Sequence, residues 1–429
     1  LTVTATPQSP TKDGLPVERS RAPHPFVWTV LYIPFGAFSG FVGVPLTFLA
    51  TRHGLSISDG TLLNAAQLLT QWLKWIWAPL VDITLSPRKW YVISAGLSGV
   101  GVLAMSVVPL GPETLGILLA IVAVASLINS VVGMSVEALM AGSTPVGEIG
   151  RVSAWFQAGN LGGAGLGGGL GLLLFEKLPK PWMSGAIVGG LFVACCLVLR
   201  FAPGVAAHAR PGGALAAVKQ VVRDLWAMLR TKGGLLSAVL CVLPVGTGAA
   251  QGVLTQAKVA AVWGAGADQV ALVQGLLSGL VTAVGCFAGG TLCQRFHPRT
   301  AYAGVGLVLA AIAVAMGVCP ATAIMYVTWN LIYAFAVGLS YAAFTALVLD
   351  AMGSGSAATK YNVFASLSNF PLWWLGLLLG VAAEKWDARR MLFTEAAFGV
   401  IGILVFALSV RLVGRSSLPT DVPGARRPA

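Results

Sequence analysis

The chain has 429 residues, 56% hydrophobic and only 10% charged, whereas a water-soluble domain carries about 25% charged residues. A soluble chain this apolar would expose more greasy surface than water tolerates, so lipid is its expected solvent. The net charge of +12 would suggest nucleic acid in a soluble protein. Here no basic face with interleaved aromatics lies outside the apolar runs, and Lys and Arg are expected in cytoplasmic loops, so no nucleic-acid partner is expected.

Residues 1–25 are polar and Pro-rich with no apolar core of their own, which reads as a cytoplasmic tail and not a cleaved signal. The leading Leu reads as a non-ATG start taken literally, and the Ala, Gly and Val content fits a high-GC bacterium. A lipid-embedded backbone must satisfy its own hydrogen bonds, and a spanning helix needs about 20 mostly apolar residues. This predicts an all-α membrane protein with twelve transmembrane helices: 26–50, 60–81, 90–110, 114–137, 152–175, 182–202, 235–256, 269–292, 300–319, 321–349, 359–383 and 391–413. They group as a bundle of six over 26–202, a cytoplasmic linker over 203–234, a second bundle of six over 235–413, and a cytoplasmic tail over 414–429.

Span one carries polar Tyr32 and Ser39. Span two carries a polar stripe, because Asn64, Gln67, Gln71 and Lys74 follow helical spacing. A charge at helix centre costs at least about 2.5–3.5 kcal/mol on insertion scales. On a continuous helix Lys74 would lie about 12 Å above Asp82, deeper than a lysine comfortably snorkels. It is either a structural lysine tied to carbonyls and a carboxylate, or a cavity-facing base that attracts an anionic solute. Span four offers Asn129 and ends at Glu137, and span five offers Asn160.

Span five also holds Gly159, Gly163, Gly167 and Gly171 at intervals of four. Its GxGxxG string follows no strand and sits in a membrane span, so a nucleotide site is excluded. The spacing predicts a small-residue face for close helix contact. Gly275, Gly279, Gly285 and Gly289 form a comparable face on span eight, so spans five and eight are expected to meet across the halves.

In the linker, Ala217 to Arg230 places apolar residues at helical spacing flanked by Lys219, Arg223 and Arg230, as in a helix lying on the inner leaflet. Gln251 lies in span seven; Trp329, Asn330, Tyr333 and Tyr341 in span ten, which ends at Asp350; Asn369 and Trp373 in span eleven. Asp350 sits at a helix C-terminus, against the dipole, and Lys360 is its candidate partner. The six cysteines lie in or at the ends of apolar runs without metal spacing, and no histidine cluster occurs. No cofactor or metal is expected.

With the N-terminus inside, inner segments hold 19 Lys and Arg and outer segments 7. The positive-inside rule then puts both termini in the cytoplasm. The halves also echo one another: Asp82 with Pro87-Arg88 after span two corresponds to Gln294 with Pro298-Arg299 after span eight, about 212 positions later. Arg88, Lys89 and Arg295 extend the charged loops on that side.

Ala78, Leu80, Asp82, Arg88 and Lys89 fill places in a loop that resembles the signature loop of the major facilitator superfamily, although Ile83 stands where that loop has Arg. The resemblance implies two six-helix bundles with a solute site between them. It also implies that Glu137, ending span four, joins Asp82 and Arg88 in a charge cluster that gates the inner side. The strings LKWIWAPLVD and SAATKYNVFASLSNFPLWWLG are similar to the peptide–acetyl-CoA transporter branch, which includes muropeptide permeases of the AmpG type. Glu137-Ala138 replaces that branch's Asp-Ala pair.

The expectation is a monomeric inner-membrane secondary transporter, multi-pass, working by alternating access. It would import a large polar or anionic solute of the muropeptide type. Its expected binding residues are Lys74, Gln71, Gln67, Tyr32, Asn129, Asn160, Gln251, Asn330, Tyr333, Asn369 and Trp373. Its expected gate is Asp82, Arg88, Lys89, Glu137, Gln294, Arg295 and Asp350. No carboxylate is read mid-span, so Glu137 is the candidate site for a coupling proton; a uniporter or exchanger stays open. The alternatives are another solute (an acyl-CoA, a drug or a pigment-related molecule) or a non-transporting assembly factor on the same fold. No grouping of catalytic side chains points to an enzyme.

Overall fold

A computed structural model describes residues 23–77, 84–141, 149–202, 219, 222–223, 226–352 and 357–416. The described residues form helices and no strands. Taken in chain order, α1 is Phe26–Arg52, α2 Ile57–Leu73, α3 Pro87–Val107, α4 Leu115–Ala141, α5 149–177 and α6 181–201. The second half comprises α7 Lys232–Val242, α8 267–295, α9 Pro298–Val318, α10 Ala323–Met352, α11 Ala357–Lys385 and α12 Ala388–Gly414. Ten of these are long and apolar enough to cross a membrane, and α2 and α7 occupy the remaining two places. Residues 26 and 414 mark one end of the bundle, here the tail end; the loops at 53–56, 178–180 and 386–387 mark the far end.

Two predicted spans differ from the helices found. The span predicted over 60–81 is α-helical only to Leu73, followed by a tight 3₁₀ turn over Lys74–Ile76. Pro79 follows, and a proline supplies no N–H and crowds the carbonyl four residues back. Lys74 therefore stands at the end of its helix, not at a helix centre, and the 12 Å estimate no longer applies. The span predicted over 235–256 breaks after Val242 and resumes as a short helix, Ala250–Leu254. Pro244 ends the first piece, and Gly246 and Gly248 take positive φ in the break, a conformation that only glycine adopts without strain.

Apolar patterning decides which helices face lipid. Val100, Leu197, Val318 and Leu404 stay exposed on α3, α6, α9 and α12. Trp182 and Trp386 are exposed at the far end and Trp75 and Trp226 at the tail end, like the aromatic belts of membrane proteins. Each half has cores of its own, one around Phe38, Phe41 and Phe192 and another around Leu240, Leu347 and Phe364. A further core crosses between halves at the far end, joining Phe48, Leu49, Ile57 and Leu172 to Val253, Leu254, Val259 and Trp263.

The glycine rows do two different jobs. Gly159, Gly163 and Gly167 of α5 press on the backbone of α1 at Thr29, Ile33 and Ala37, within one half. The contact between α5 and α8 uses Gly165 and Gly169 against Gly275, and Leu161 against Gly279. The expected meeting of spans five and eight is present, but the fourfold row binds α1 instead, and Gly285 and Gly289 of α8 pack on α10. Most of the 203–234 linker lies outside the described residues; its final helical turn buries Met228 in the second half's core.

Candidate functional site

Three wide π-helical turns, at Val42–Leu46 in α1, Leu166–Leu170 in α5 and Ala271–Leu277 in α8, meet between the halves. Pro45 explains the first, since it cannot join the hydrogen-bond ladder, and such turns recur at functional sites. Beside them lies a cavity of about 260 Å³. The first half contributes Ser39, Thr61, Asn64 and Leu161, and the second half Gln251, Gln274, Ser278, Thr282 and Tyr341. Backbone at Gly40, Gly43, Gly248, Gly252 and Gly275 completes the wall. Among the described residues no charged side chain lines it.

The polar wall is pre-arranged. Gln251 Nε2 donates to Ser278 Oγ at 3.1 Å. Gln274 Nε2 donates to Asn330 Oδ1 at 2.5 Å, and Asn330 Nδ2 donates to the Tyr326 carbonyl at 2.8 Å. Fixed amide and hydroxyl groups in an apolar setting orient a ligand through hydrogen bonds.

At the far end the halves are latched. Glu384 Oε2 on α11 accepts from the Ile57 and Ser58 N–H groups at 2.5 and 3.4 Å. Lys258 Nζ donates to the Leu55 carbonyl at 2.6 Å, and Gln256 Nε2 donates to Thr61 Oγ1 at 3.0 Å. The Ala257 N–H donates to Thr51 Oγ1 at 3.0 Å, and Thr255 Oγ1 donates to the Gly43 carbonyl at 3.0 Å. With the apolar core beneath it, this latch closes the cavity on the far side.

The predicted binding residues are dispersed. Gln251 lines the cavity; Asn330 stands behind it through Gln274; and Tyr333 stands behind Gly248. Asn160 donates to Gln157 Oε1, Asn129 to the Phe35 carbonyl, and Asn369 to the Ala365 carbonyl in its own helix. Tyr32 stacks on Phe35 and Phe156, and its hydroxyl donates to Glu137 Oε1 at 3.4 Å. Trp373 stacks on Trp72 at 5.7 Å, bridging α11 and α2 between the halves. Gln67, Gln71 and Lys74 are buried on one face of α2, with Gln67 Oε1 and Gln71 Nε2 unbonded among the described residues. Lys74 makes no ion pair or hydrogen bond with a described residue.

Of the predicted gate, Asp82 lies outside the described residues, as do the side chains of Gln294 and Asp350. The Arg88 guanidinium donates to the Ala202 carbonyl at the end of α6, while Lys89 and Arg295 are exposed. Glu137 meets Tyr32 as just described.

One expectation is corrected. A carboxylate does lie within a span: Glu395 of α12, 8% exposed, is seven residues inside its helix. Its Oε1 accepts from Tyr333 at 2.6 Å and from the Ala250 N–H at 3.0 Å. Its place near the predicted span start had let it pass for an end charge. Gln274 and Gln256 are polar residues in apolar runs, the signal used for Gln67, and that signal was available for both.

The Major Facilitator Superfamily profile matches residues 26–372. The chain belongs to the Major Facilitator Superfamily. Solved structures of similar fold include a D-xylose–proton symporter, at TM-score 0.64 and 15% identity, covering 93% of this chain and 98% of that one. A bacterial homologue of the human lysosomal transporter Spinster, in an inward-facing and unoccupied conformation, aligns at TM-score 0.63 and 14% identity, over 91% and 97% of the two chains. The nucleoside transporter NupG aligns at TM-score 0.61 and 12% identity, over 90% and 98%. No curated protein matches the sequence. Major Facilitator Superfamily membership makes this chain a multi-pass membrane protein of a transporter family whose members carry small molecules.

Proposed function

We propose that this protein is a secondary transporter of a bacterial inner membrane, monomeric, with both termini in the cytoplasm, working by alternating access. Its cargo is a large polar solute of the muropeptide type, imported toward the tail end. The observation that carries the reading is the polar cavity between the halves, closed by the latch at the far end. The excess of Lys and Arg on the tail side supports the orientation. The LKWIWAPLVD string supports the muropeptide class, and amides and hydroxyls suit the sugar part of such a solute. Lys74 lies six residues past the cavity-lining Leu68, about 9 Å toward the tail end, where it would meet an anionic peptide part.

A second reading rests on the cavity itself. Its wall holds no charge among the described residues and its volume is about 260 Å³, below the roughly 300–1,000 Å³ of most ligand sites. A small neutral solute, as in the D-xylose and nucleoside transporters of similar fold, fits that wall as it stands.

Uptake of labelled anhydromuropeptide, xylose and a nucleoside into right-side-out vesicles separates the readings. Saturable anhydromuropeptide uptake supports the first and saturable uptake of a neutral solute the second. No saturable uptake of any probe would favour the assembly-factor alternative. Lys74→Gln is expected to raise KM for the anionic probe about tenfold or more, since a hydrogen bond to a charged group contributes about 1.5–3 kcal/mol. Neutral uptake should not change; equal KM values for the anion would return Lys74 to a structural role. Gln251→Leu is expected to raise KM for any transported probe about tenfold, through loss of one buried amide, with thermal stability in detergent held. An unaltered KM would place the solute elsewhere.

A further inference from the structure

The break in span seven forms one wall of the cavity, through Thr247, Gly248, Ala249, Gln251, Gly252 and Val253. Two side chains hold that wall from behind. The Tyr326 hydroxyl donates to the Leu254 carbonyl at 2.7 Å, and Glu395 Oε1 accepts from the Ala250 N–H at 3.0 Å. Tyr333 donates to the same Oε1 at 2.6 Å, while Oε2 is buried with no hydrogen-bond partner.

An ionised carboxylate buried this deeply is expensive unless it is paired with a cation or fully hydrogen-bonded. Glu395 makes no ion pair among the described residues. The titratable side chains of α10 in its cluster are Tyr326 and Tyr333, and α9 contributes Cys319 at its end. The 243–256 segment contributes no titratable side chain. The described charges of the packed helices lie at helix ends: Arg299 on α9, Glu384 and Lys385 on α11, and Arg389, Arg390 and Arg411 on α12. The Arg389 guanidinium is engaged by the Cys319 carbonyl. A group with one satisfied and one bare oxygen, in apolar surroundings and one backbone layer from a polar cavity, is equipped to gain and lose a proton.

The layer is thin where it matters. Gly248 has no side chain, and a Cβ there would stand 2.8 Å from Val337 and 3.9 Å from the Tyr333 ring. Water in the cavity is thus separated from the carboxyl by the backbone of 248–250.

We propose that Glu395 is the proton-binding site of this protein, and that the cavity wall reads its protonation through the Ala250 N–H. The proposal rests on the transporter reading for its use, though not for its geometry. In the step, hydronium in the cavity gives its proton to Oε2 and leaves water; the carboxylate becomes a neutral carboxyl. Oε1 then becomes a weaker acceptor, since hydrogen bonds to ionised groups are roughly twice as strong as neutral ones. The hold on Ala250 loosens, and segment 247–253, with Gln251, is freer to move. Loss of the proton restores the hold. Glu137, which pairs with Tyr32 in a similar way at the tail end, has no such link to the cavity wall.

The test needs no solute. Infrared difference spectra of the full chain in liposomes, titrated with acid, should show a protonating carboxyl that Glu395→Gln removes and Glu137→Gln retains. The Gln variant keeps an oxygen acceptor for Ala250, so its fold should survive. With the six native cysteines replaced, a cysteine placed at Thr247 should react with N-ethylmaleimide at a pH-dependent rate beyond its own thiolate fraction. In the Glu395→Gln background that excess should vanish. Loss of the signal in Glu137→Gln instead, or identical titrations for wild type and Glu395→Gln, would overturn the proposal. Once a transported probe is known, Glu395→Gln should abolish its proton-driven accumulation and keep its exchange. Failure of every uptake probe with the infrared result intact would sink the transporter reading alone.

Discussion

Glu384→Ala combined with Gln256→Leu is expected to open the protein at its far end. Glu384 holds two amide groups at the start of α2, and Gln256 holds Thr61 one turn further along. All three contacts join one half to the other, so they exist only while that end is closed. A neutral hydrogen bond contributes about 0.5–1.5 kcal/mol net and one to a charged group about 1.5–3. Losing both side chains should therefore shift the equilibrium by about 2–4 kcal/mol, roughly 30- to 1,000-fold at 1.4 kcal/mol per decade. A Thr47→Cys probe reports it, because Thr47 is fully buried beneath the latch beside Thr255. In a background without the six native cysteines, an impermeant maleimide added on the far side should label the parent slowly and the double variant much faster. Equal labelling rates would mean that the apolar seal of Phe48, Leu49, Val253 and Trp263 closes this end unaided.

The fold was legible because lipid imposes one rule on every span: about 20 apolar residues in a helix that satisfies its own backbone. Ten spans obeyed that rule, and the two that departed did so at Pro79 and Pro244, residues that interrupt a hydrogen-bond ladder. The site was legible only in part. A polar residue in an apolar run signals burial, not what it is buried against. Gln251 thus reached the cavity, while Asn369 turned to its own helix and Asn129 to a neighbouring carbonyl. The latch was invisible because Leu55, Ile57, Lys258 and Glu384 lie in unremarkable loops and helix ends, up to 327 positions apart. Their pairing depends on how two bundles dock, which no local period encodes. Glu395 was hidden for a related reason: its acceptors and donors come from α10 and from the break in span seven, and that break was itself not foreseen.

Docking of the bundles also separates two glycines that look equivalent in sequence. A Cβ at Gly167 would stand 1.8 Å from the Ala37 carbonyl oxygen, and one at Gly275 would stand 2.0 Å from the Gly169 Cα. The first contact is between α5 and α1 inside one half, where both helices belong to the same packed body. Gly167→Val has no rigid motion to relieve it, and overpacking should destabilise the chain by about 1–3 kcal/mol or more, visible as a lower unfolding temperature in detergent and poor yield. Gly162→Ala is the control, since nothing lies within 4 Å of its Cβ; it should be neutral or slightly stabilising in helix. Gly275→Val acts between the halves, so a small rotation of one bundle can relieve it while each keeps its core. That variant should keep an unfolding temperature near that of wild type, lose uptake of any transported probe, and label at Thr47→Cys faster than its parent. If Gly275→Val melted as early as Gly167→Val, the α5–α8 contact would be part of a fixed core, and the halves would not rock at this seam.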